Sequence, residues 1–134
     1  MDGMTSMPTS IPYASAVELG RWTLHSYRDL RVLRSGLRAM AEGHHAEGMV
    51  VVANELATNA LRHARPPAVV RLLGEPGRLI LDVADHAPAA EPQPAGDRPP
   101  GAGGLGLRLT ATFATDLGWY ANAVTKHVWA SFPS

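Results

Sequence analysis

Three polar side chains recur at four-residue intervals between residues 49 and 64. They are Glu55, Asn59 and His63. An α-helix advances by about 100° per residue, so the three lie within roughly 80° of one another on one helical face. The opposite face is apolar and is expected to pack on a sheet; it carries Val50, Ala53, Ala57, Ala60, Leu61 and Ala64. The pattern predicts an amphipathic helix whose polar stripe is either functional or simply exposed to solvent.

The stripe contains side chains suited to phosphate chemistry. An Asn amide oxygen can complete the octahedral shell of a Mg²⁺ ion whose other ligands are phosphates and waters, which makes Asn59 a candidate metal ligand. One helical turn earlier, the carboxylate of Glu55 can orient and deprotonate a group that attacks a terminal phosphate. A zinc hydrolase built from Glu55, His63 and the His44–His45 pair is disfavoured, because the H-E-x-x-H spacing of helical zinc sites is absent.

Two further features follow this helix along the chain. Asp85 ends a predicted strand, and the alternation of side chains places it on the opposite face from Asp82. The alternative is a turn aspartate that bonds to its own backbone. Near residue 105 a predicted third helix is opened by Gly101, Gly103, Gly104 and Gly106. Free amides at such a helix start can hold a phosphate, although a flexible turn has the same composition.

Composition limits the classes of protein that the chain can belong to. Its 134 residues include twelve basic and twelve acidic side chains, so the formal net charge is zero. That balance disfavours a general binder of nucleic acid or of acidic membranes. The chain has no cysteine, which excludes disulfides, thiolate metal sites and a thiol nucleophile. Because neither a membrane span nor an export signal is visible, we expect a cytoplasmic protein.

The remaining elements follow from periodicity and turn composition. We expect a flexible N-terminal tail over residues 1–15, with packing in a homodimer as its alternative, and a single domain over 16–134. Helices are predicted over 30–40 and 46–64, and strands over 21–25, 69–73, 79–83, 117–121 and 128–132. Residues 86–103 hold five of the eleven prolines and are predicted to be a lid or else a disordered insertion. This order predicts an α/β fold, a two-layer α/β sandwich with a mixed, mostly antiparallel sheet and helices on one face.

Three segments, taken in order, resemble those of one known superfamily. They read NELATNALRHA, DVADHAP and GGLGLRL. The chain resembles the GHKL nucleotide-binding superfamily, which includes gyrase-type ATPases and histidine-kinase catalytic domains. The resemblance covers residues 20–132 and is strongest to the short anti-sigma-factor serine kinases and related actinobacterial ATP-binding regulators. It implies the Bergerat type of sandwich, with ATP and Mg²⁺ as cofactors.

The resemblance also implies roles for individual residues. Glu55 is the implied general base, Asn59 the Mg²⁺ ligand and His63 a neighbour of the phosphates. Asp85 is the implied acceptor for the exocyclic amine of adenine. The rest of the implied ATP site comprises Ala87, Gly103, Gly104, Leu105, Gly106 and Leu107.

The chain departs from the family pattern in two places. Ala87 and Ala89 occupy the glycine positions of D-x-G-x-G, with Pro88 between them, which bears on the affinity for ATP. The last strand, TKHVWA, is similar to the family's G-K-T-V-W-A, with His127 where a threonine often supports the adenine. Thr125 shares the strand parity of His127 and is a candidate replacement for that hydroxyl.

The function implied by the resemblance is an ATP/Mg²⁺-binding anti-sigma-factor-like regulator with serine/threonine protein kinase activity on an antagonist protein. The implied partners are a sigma factor and an anti-sigma-factor antagonist, with no direct contact to nucleic acid or membrane. Within the lid, Arg98 is a candidate to close over the terminal phosphate. The alternative is a catalytically inactive, nucleotide-gated interaction module of the same fold. A detached histidine-kinase domain is less expected, since we see no helical hairpin with a phosphoacceptor histidine before the domain.

Overall fold

A computed structural model describes residues 15–41, 46–86 and 113–134. In this part of the chain it contains two α-helices, α1 (Leu30–Met40) and α2 (Ala46–His63). A single 3₁₀ turn, Tyr27–Asp29, precedes α1. The strands are β1 (Val17–Leu24), β2 (Ala68–Glu75), β3 (Arg78–Asp85), β4 (Asp116–Ala121) and β5 (Lys126–Pro133). The predicted tail, the His44–His45 pair and the third helix fall largely or wholly outside the described residues.

The five strands form one sheet in the order β1-β2-β3-β5-β4. Each neighbouring pair of these described strands is antiparallel, so the sheet is antiparallel and not mixed. The β2–β3 hairpin turns through Pro76 and Gly77, and Gly77 has a φ of +85°. Only glycine adopts that conformation without strain. The predicted α/β fold with helices packed on the sheet is confirmed.

The helices cover one face of the sheet. Helix α2 packs on β2, β3 and β5, and α1 packs on α2. The buried residues of α2 are Met49, Val50, Val52, Ala53, Leu56, Ala57 and Ala60. This buried surface is wider than the predicted one, because α2 has both the sheet and α1 as neighbours. Leu61 and Ala64, which were expected in it, are half-buried.

The two faces of the sheet have different contents. Val83, Val128 and Ala130 belong to the main core beneath the helices. A second, small cluster of Leu73, Ile80 and Trp129 lies on the other face. Successive residues of a strand point to opposite faces, so the helix-facing residues of β3 and β5 alternate with those of the second face. This alternation decides which polar residues can meet beneath the helices.

Candidate functional site

The end of α2 and the end of β3 lie at the same edge of the sheet. Residues 64–67 connect α2 to β2, and a link of this length spans at most about 14 Å. At the start of β2, Val69 pairs with Ala84, the penultimate residue of β3. The last turns of α2, which carry Asn59 and His63, are therefore close to the sheet edge where Asp85 ends β3. Asn59 and His63 are four residues apart, which corresponds to about 6 Å along the helix axis.

Asp85 is the buried carboxylate of this region. It shares strand parity with Val83, so its side chain lies on the helix-facing side of the sheet. Asp82 lies on the opposite face, as the alternation predicts. The side chain of Asp85 is only 5% exposed, and its Oδ2 is 3.9 Å from Nζ of Lys126, which is 11% exposed. The site therefore contains a nearly buried pair of opposite charges.

The sequence interpretation missed Lys126. The register of β3 and β5 places it directly opposite Asp85. The tight turn before β5 helps to fix its position, because Asn122 Oδ1 accepts hydrogen bonds from the backbone N–H groups of Val124 and Thr125, both at 2.8 Å. The Asn122 N–H also donates to the Thr125 carbonyl at 2.9 Å. Only the pairing of two distant strands brings the lysine to Asp85, and no local pattern in the sequence shows that pairing.

The polar stripe of α2 is accessible to a ligand in part. Glu55 and Asn59 are half-buried and His63 is exposed. Next to the stripe, Asn54 accepts a hydrogen bond of 2.8 Å from Arg34 Nη1, which ties α2 to α1. Among the described residues, no group of three or more His, Cys, Asp or Glu side chains is placed to hold a metal ion. A magnesium ion held mainly by phosphates and waters needs no such group, and one amide oxygen fits its preferences.

An open depression of about 540 Å³ lies beyond this edge of the sheet. It is lined by Arg65, Pro66, Pro67, His86, Ala123 and Val124. These residues belong to the α2–β2 link, the end of β3 and the β4–β5 turn. His86 directly follows Asp85 in the chain, and Val124 precedes Lys126 by two residues, although neither Asp85 nor Lys126 lines the depression. Arg65 and His86 give it polar groups that can contact an anion.

Several predicted site residues lie outside the described part of the chain. They are Ala87, Ala89, Arg98, Gly103, Gly104, Leu105, Gly106 and Leu107. Their roles, and the lid over residues 86–103, stay predictions. The roles of Glu55, Asn59, His63 and Asp85 also stay predictions, although these four residues belong to α2 and β3, which pack together.

The sequence placed residue 127 where the family's threonine supports the adenine and offered Thr125 as a replacement for that hydroxyl. This expectation was wrong. His127 lies on the sheet face away from the helices, where its Nδ1 is 3.0 Å from Asp82 Oδ2. Its Nε2 is 3.1 Å from Thr125 Oγ1, and its ring stacks on Tyr120 with centroids 4.5 Å apart. Asp82 is fully buried and also accepts a hydrogen bond of 3.0 Å from Arg71. Because strand residues alternate between faces, His127 cannot take part in a site on the side of Asp85.

Comparison with known proteins gives a family match over most of the chain. A family model described as a histidine kinase-like ATPase domain matches residues 25–132. No curated protein matches the chain. None of the helices in the described part of the chain has the length and apolar character needed to cross a membrane.

Proposed function

Since the chain belongs to the histidine kinase-like ATPase family, we propose that it binds ATP with Mg²⁺ where α2 and β3 end, and that it uses the nucleotide to regulate a protein partner. The observation that carries this proposal is the position of Asp85. It is a nearly buried carboxylate on the helix-facing side of the sheet, at the edge where α2 brings Asn59 and His63. A carboxylate and an amide held on adjacent elements suit a ligand with a base at one end and phosphates at the other.

Asp85 would select the base. Its carboxylate accepts a hydrogen bond from the exocyclic amine of adenine, whereas guanine has a carbonyl oxygen at that position and would be repelled. Because the side chain of Asp85 is only 5% exposed, little water screens the repulsion between its carboxylate and the carbonyl oxygen of guanine. Adenine is therefore preferred over guanine.

The polar stripe would serve the phosphates. Asn59 is our proposed ligand for Mg²⁺, which would neutralise phosphate charge when bound. His63 is exposed at the last turn of α2, and its proposed role is to contact a phosphate oxygen, as the family resemblance implies. Glu55 lies one turn before Asn59 and would accept the proton of an incoming hydroxyl group.

For the finer function we propose an anti-sigma-factor-like kinase in the cytoplasm. A serine hydroxyl of an antagonist protein attacks the terminal phosphorus, its O–P bond forms as the bond to ADP breaks, and its proton passes to Glu55. A sigma factor is the second proposed partner. The support for this role is the resemblance of the NELATNALRHA, DVADHAP and GGLGLRL segments to the short anti-sigma-factor serine kinases.

The second candidate is a nucleotide-gated interaction module without kinase activity. Ala87 and Ala89 in the glycine positions favour it. His127 no longer does, because its side chain lies on the other face of the sheet and pairs with Asp82.

The two candidates differ in phosphate transfer. Calorimetric titration of the protein with ATP, with and without Mg²⁺, measures binding first. The protein is then incubated with γ-labelled ATP and candidate antagonist domains. We expect Glu55→Gln to reduce label transfer by about a hundredfold or more while ATP binding is retained. Glu47→Gln is the matched control, because Glu47 is exposed at the start of the same helix and pairs with Arg38.

Each outcome separates the candidates. Label transfer that persists in Glu55→Gln removes Glu55 as the base. ATP binding without transfer to any antagonist supports the interaction module. Absence of ATP binding by the unaltered chain refutes both.

A further inference from the structure

We propose that Lys126 is a positioning residue that orients the carboxylate of Asp85 for the recognition of adenine. This inference rests on the proposed function and extends it to a residue that the motifs of the polar stripe and the glycine segment do not include. Lys126 acts through Asp85 and is not assigned a contact with ATP.

The geometry is set by the sheet. Lys126 is the first residue of β5 and lies opposite Asp85 on one side and Ala121 on the other. It shares strand parity with Val128, a residue of the core beneath the helices, so its side chain points to the same side as Asp85. Lys126 lies between Asp85 of β3 and Ala121 of β4, and the side chain of Ala121 is too short to reach Asp85.

The charge of Lys126 affects how the carboxylate of Asp85 can bind a base. An ammonium group beside a carboxylate favours the ionised form, which is the form that accepts a hydrogen bond from an amine. At 3.9 Å from Oδ2, the charge of Lys126 also favours one rotation of the carboxylate before any base arrives. A group that is already oriented costs less to immobilise when the ligand binds.

Stability alone does not account for the pair. Removing two charges from water costs free energy that their attraction often fails to recover, so a buried ion pair is weak evidence for a structural role. This pair stands at the end of two strands, and its chain neighbours His86 and Val124 line the open depression. Lys126 is also the only lysine in the sequence, where the other eleven basic residues are arginine. A compact ammonium fits beside a carboxylate without the forked contacts of a guanidinium.

The test compares two nucleotides. ATP carries the exocyclic amine, and purine riboside triphosphate lacks it while keeping the same sugar and phosphates. We expect Lys126→Met to weaken ATP binding by roughly fivefold to thirtyfold and to leave the affinity for the analogue within about threefold. Lys126→Arg keeps the charge but not the compact shape of the ammonium, so its loss of ATP affinity should be smaller than that of Lys126→Met. Arg78→Met is the matched control, since it removes a cation from β3 at the opposite edge of the sheet.

A double-mutant cycle separates action through Asp85 from a general effect on the fold. In the Asp85→Asn background, Lys126→Met should cause no further loss of ATP affinity. Thermal unfolding of each variant shows whether it is folded, and Lys126→Gln is available if Lys126→Met is not.

Three results overturn the inference. Equal losses for ATP and the analogue would mean that Lys126 acts on the phosphates or on folding. Unchanged ATP affinity in Lys126→Met would mean that Asp85 binds adenine without being oriented by Lys126. Additive effects of the two substitutions would mean that the residues act independently. If the unaltered chain binds no ATP, the proposed function fails and the inference fails with it, which is a different result from these three.

Discussion

Replacement of Asp85 by asparagine tests the site at its most buried polar group. The substitution keeps the shape of the side chain and one carbonyl oxygen, but it removes the charge and replaces the second oxygen with an amide NH₂ group, which donates hydrogen bonds. A hydrogen bond to a charged partner contributes about 1.5 to 3 kcal/mol, roughly twice the value for a neutral one. The side chain is 5% exposed, so little solvent is available to compensate for the loss. We expect ATP affinity to fall by about tenfold to a hundredfold, or about 1.4 to 2.7 kcal/mol.

The same substitution should lower the stability of the fold. Lys126, at 11% exposure, loses its carboxylate neighbour in Asp85→Asn. Removing one partner of a fully buried pair costs about 3 to 5 kcal/mol. A separation of 3.9 Å and the remaining exposure of the lysine place this pair below that range. We expect the free energy of unfolding to fall by about 1 to 2 kcal/mol.

Calorimetry with ATP and GTP measures the first effect, and urea unfolding measures the second. Asp116→Asn is the control, because Asp116 is an exposed aspartate at the start of β4. The variant should lose much of its preference for ATP over GTP while the control keeps it. Unchanged ATP affinity in Asp85→Asn would show that the base is read elsewhere. Equal losses for both nucleotides would trace the effect to the fold and refute the assignment.

Three other predictions concern the surroundings of the site. His127→Thr, which restores the threonine typical of the family, should change ATP affinity by less than about threefold in a binding titration. A gain in affinity of about tenfold would show that residue 127 takes part in the ATP site. Gly36→Ala should destabilise the fold by about 0.5 to 2 kcal/mol in urea unfolding, because its Cβ would lie 2.6 Å from Trp22 Nε1 and this clash outweighs the gain in helix propensity of about 1 kcal/mol. Wild-type stability would contradict that packing. A hydrogen bond from the His25 backbone lowers the pKa of Asp29 in the folded protein. The ionised Asp29 carboxylate should therefore stabilise the fold at pH values above its pKa in the unfolded chain, about 3.9. This stabilisation should be lost as the pH falls through the lower pKa of the folded state. An NMR titration of the Asp29 carboxyl measures this, and a midpoint at or above the unfolded value would refute it.

Local patterns predicted much of the fold. Leucines three and four residues apart predicted α1 over 30–40, and the structure has the helix at Leu30–Met40. Glycine and proline between two aliphatic runs predicted the β2–β3 hairpin, which is present. Alternation along β3 also placed Asp82 and Asp85 on opposite faces. In each case the controlling interactions lie within one element or one turn.

Features that depend on distant pairing could not be predicted in this way. Strand β1 begins at Val17, four residues before the predicted start. The prediction missed these residues because Val17 and Leu19 are exposed on an edge strand and give no alternation of apolar and polar positions. The position of Lys126 beside Asp85 depends on the register of β3 and β5. The same register, and not the family motif, decides that His127 faces Asp82. A one-residue shift would exchange the two faces, so the site depends on the pairing as a whole.

The order of strands has a consequence for the evolution of this domain. Among the described strands, β3 is followed along the chain by β4, which lies on the far side of β5. Asp85, at the end of β3, pairs with Lys126, whereas Asp116, at the start of β4, pairs with Ser131, five residues farther along β5. The two residues are therefore about 20 Å apart, with about 10 Å across the sheet and about 17 Å along the strands. Strand β3 pairs directly with β5 and not through the connection to β4. A change in the length of that connection among homologous domains therefore leaves the ladder that sets Asp85 against Lys126 as it is.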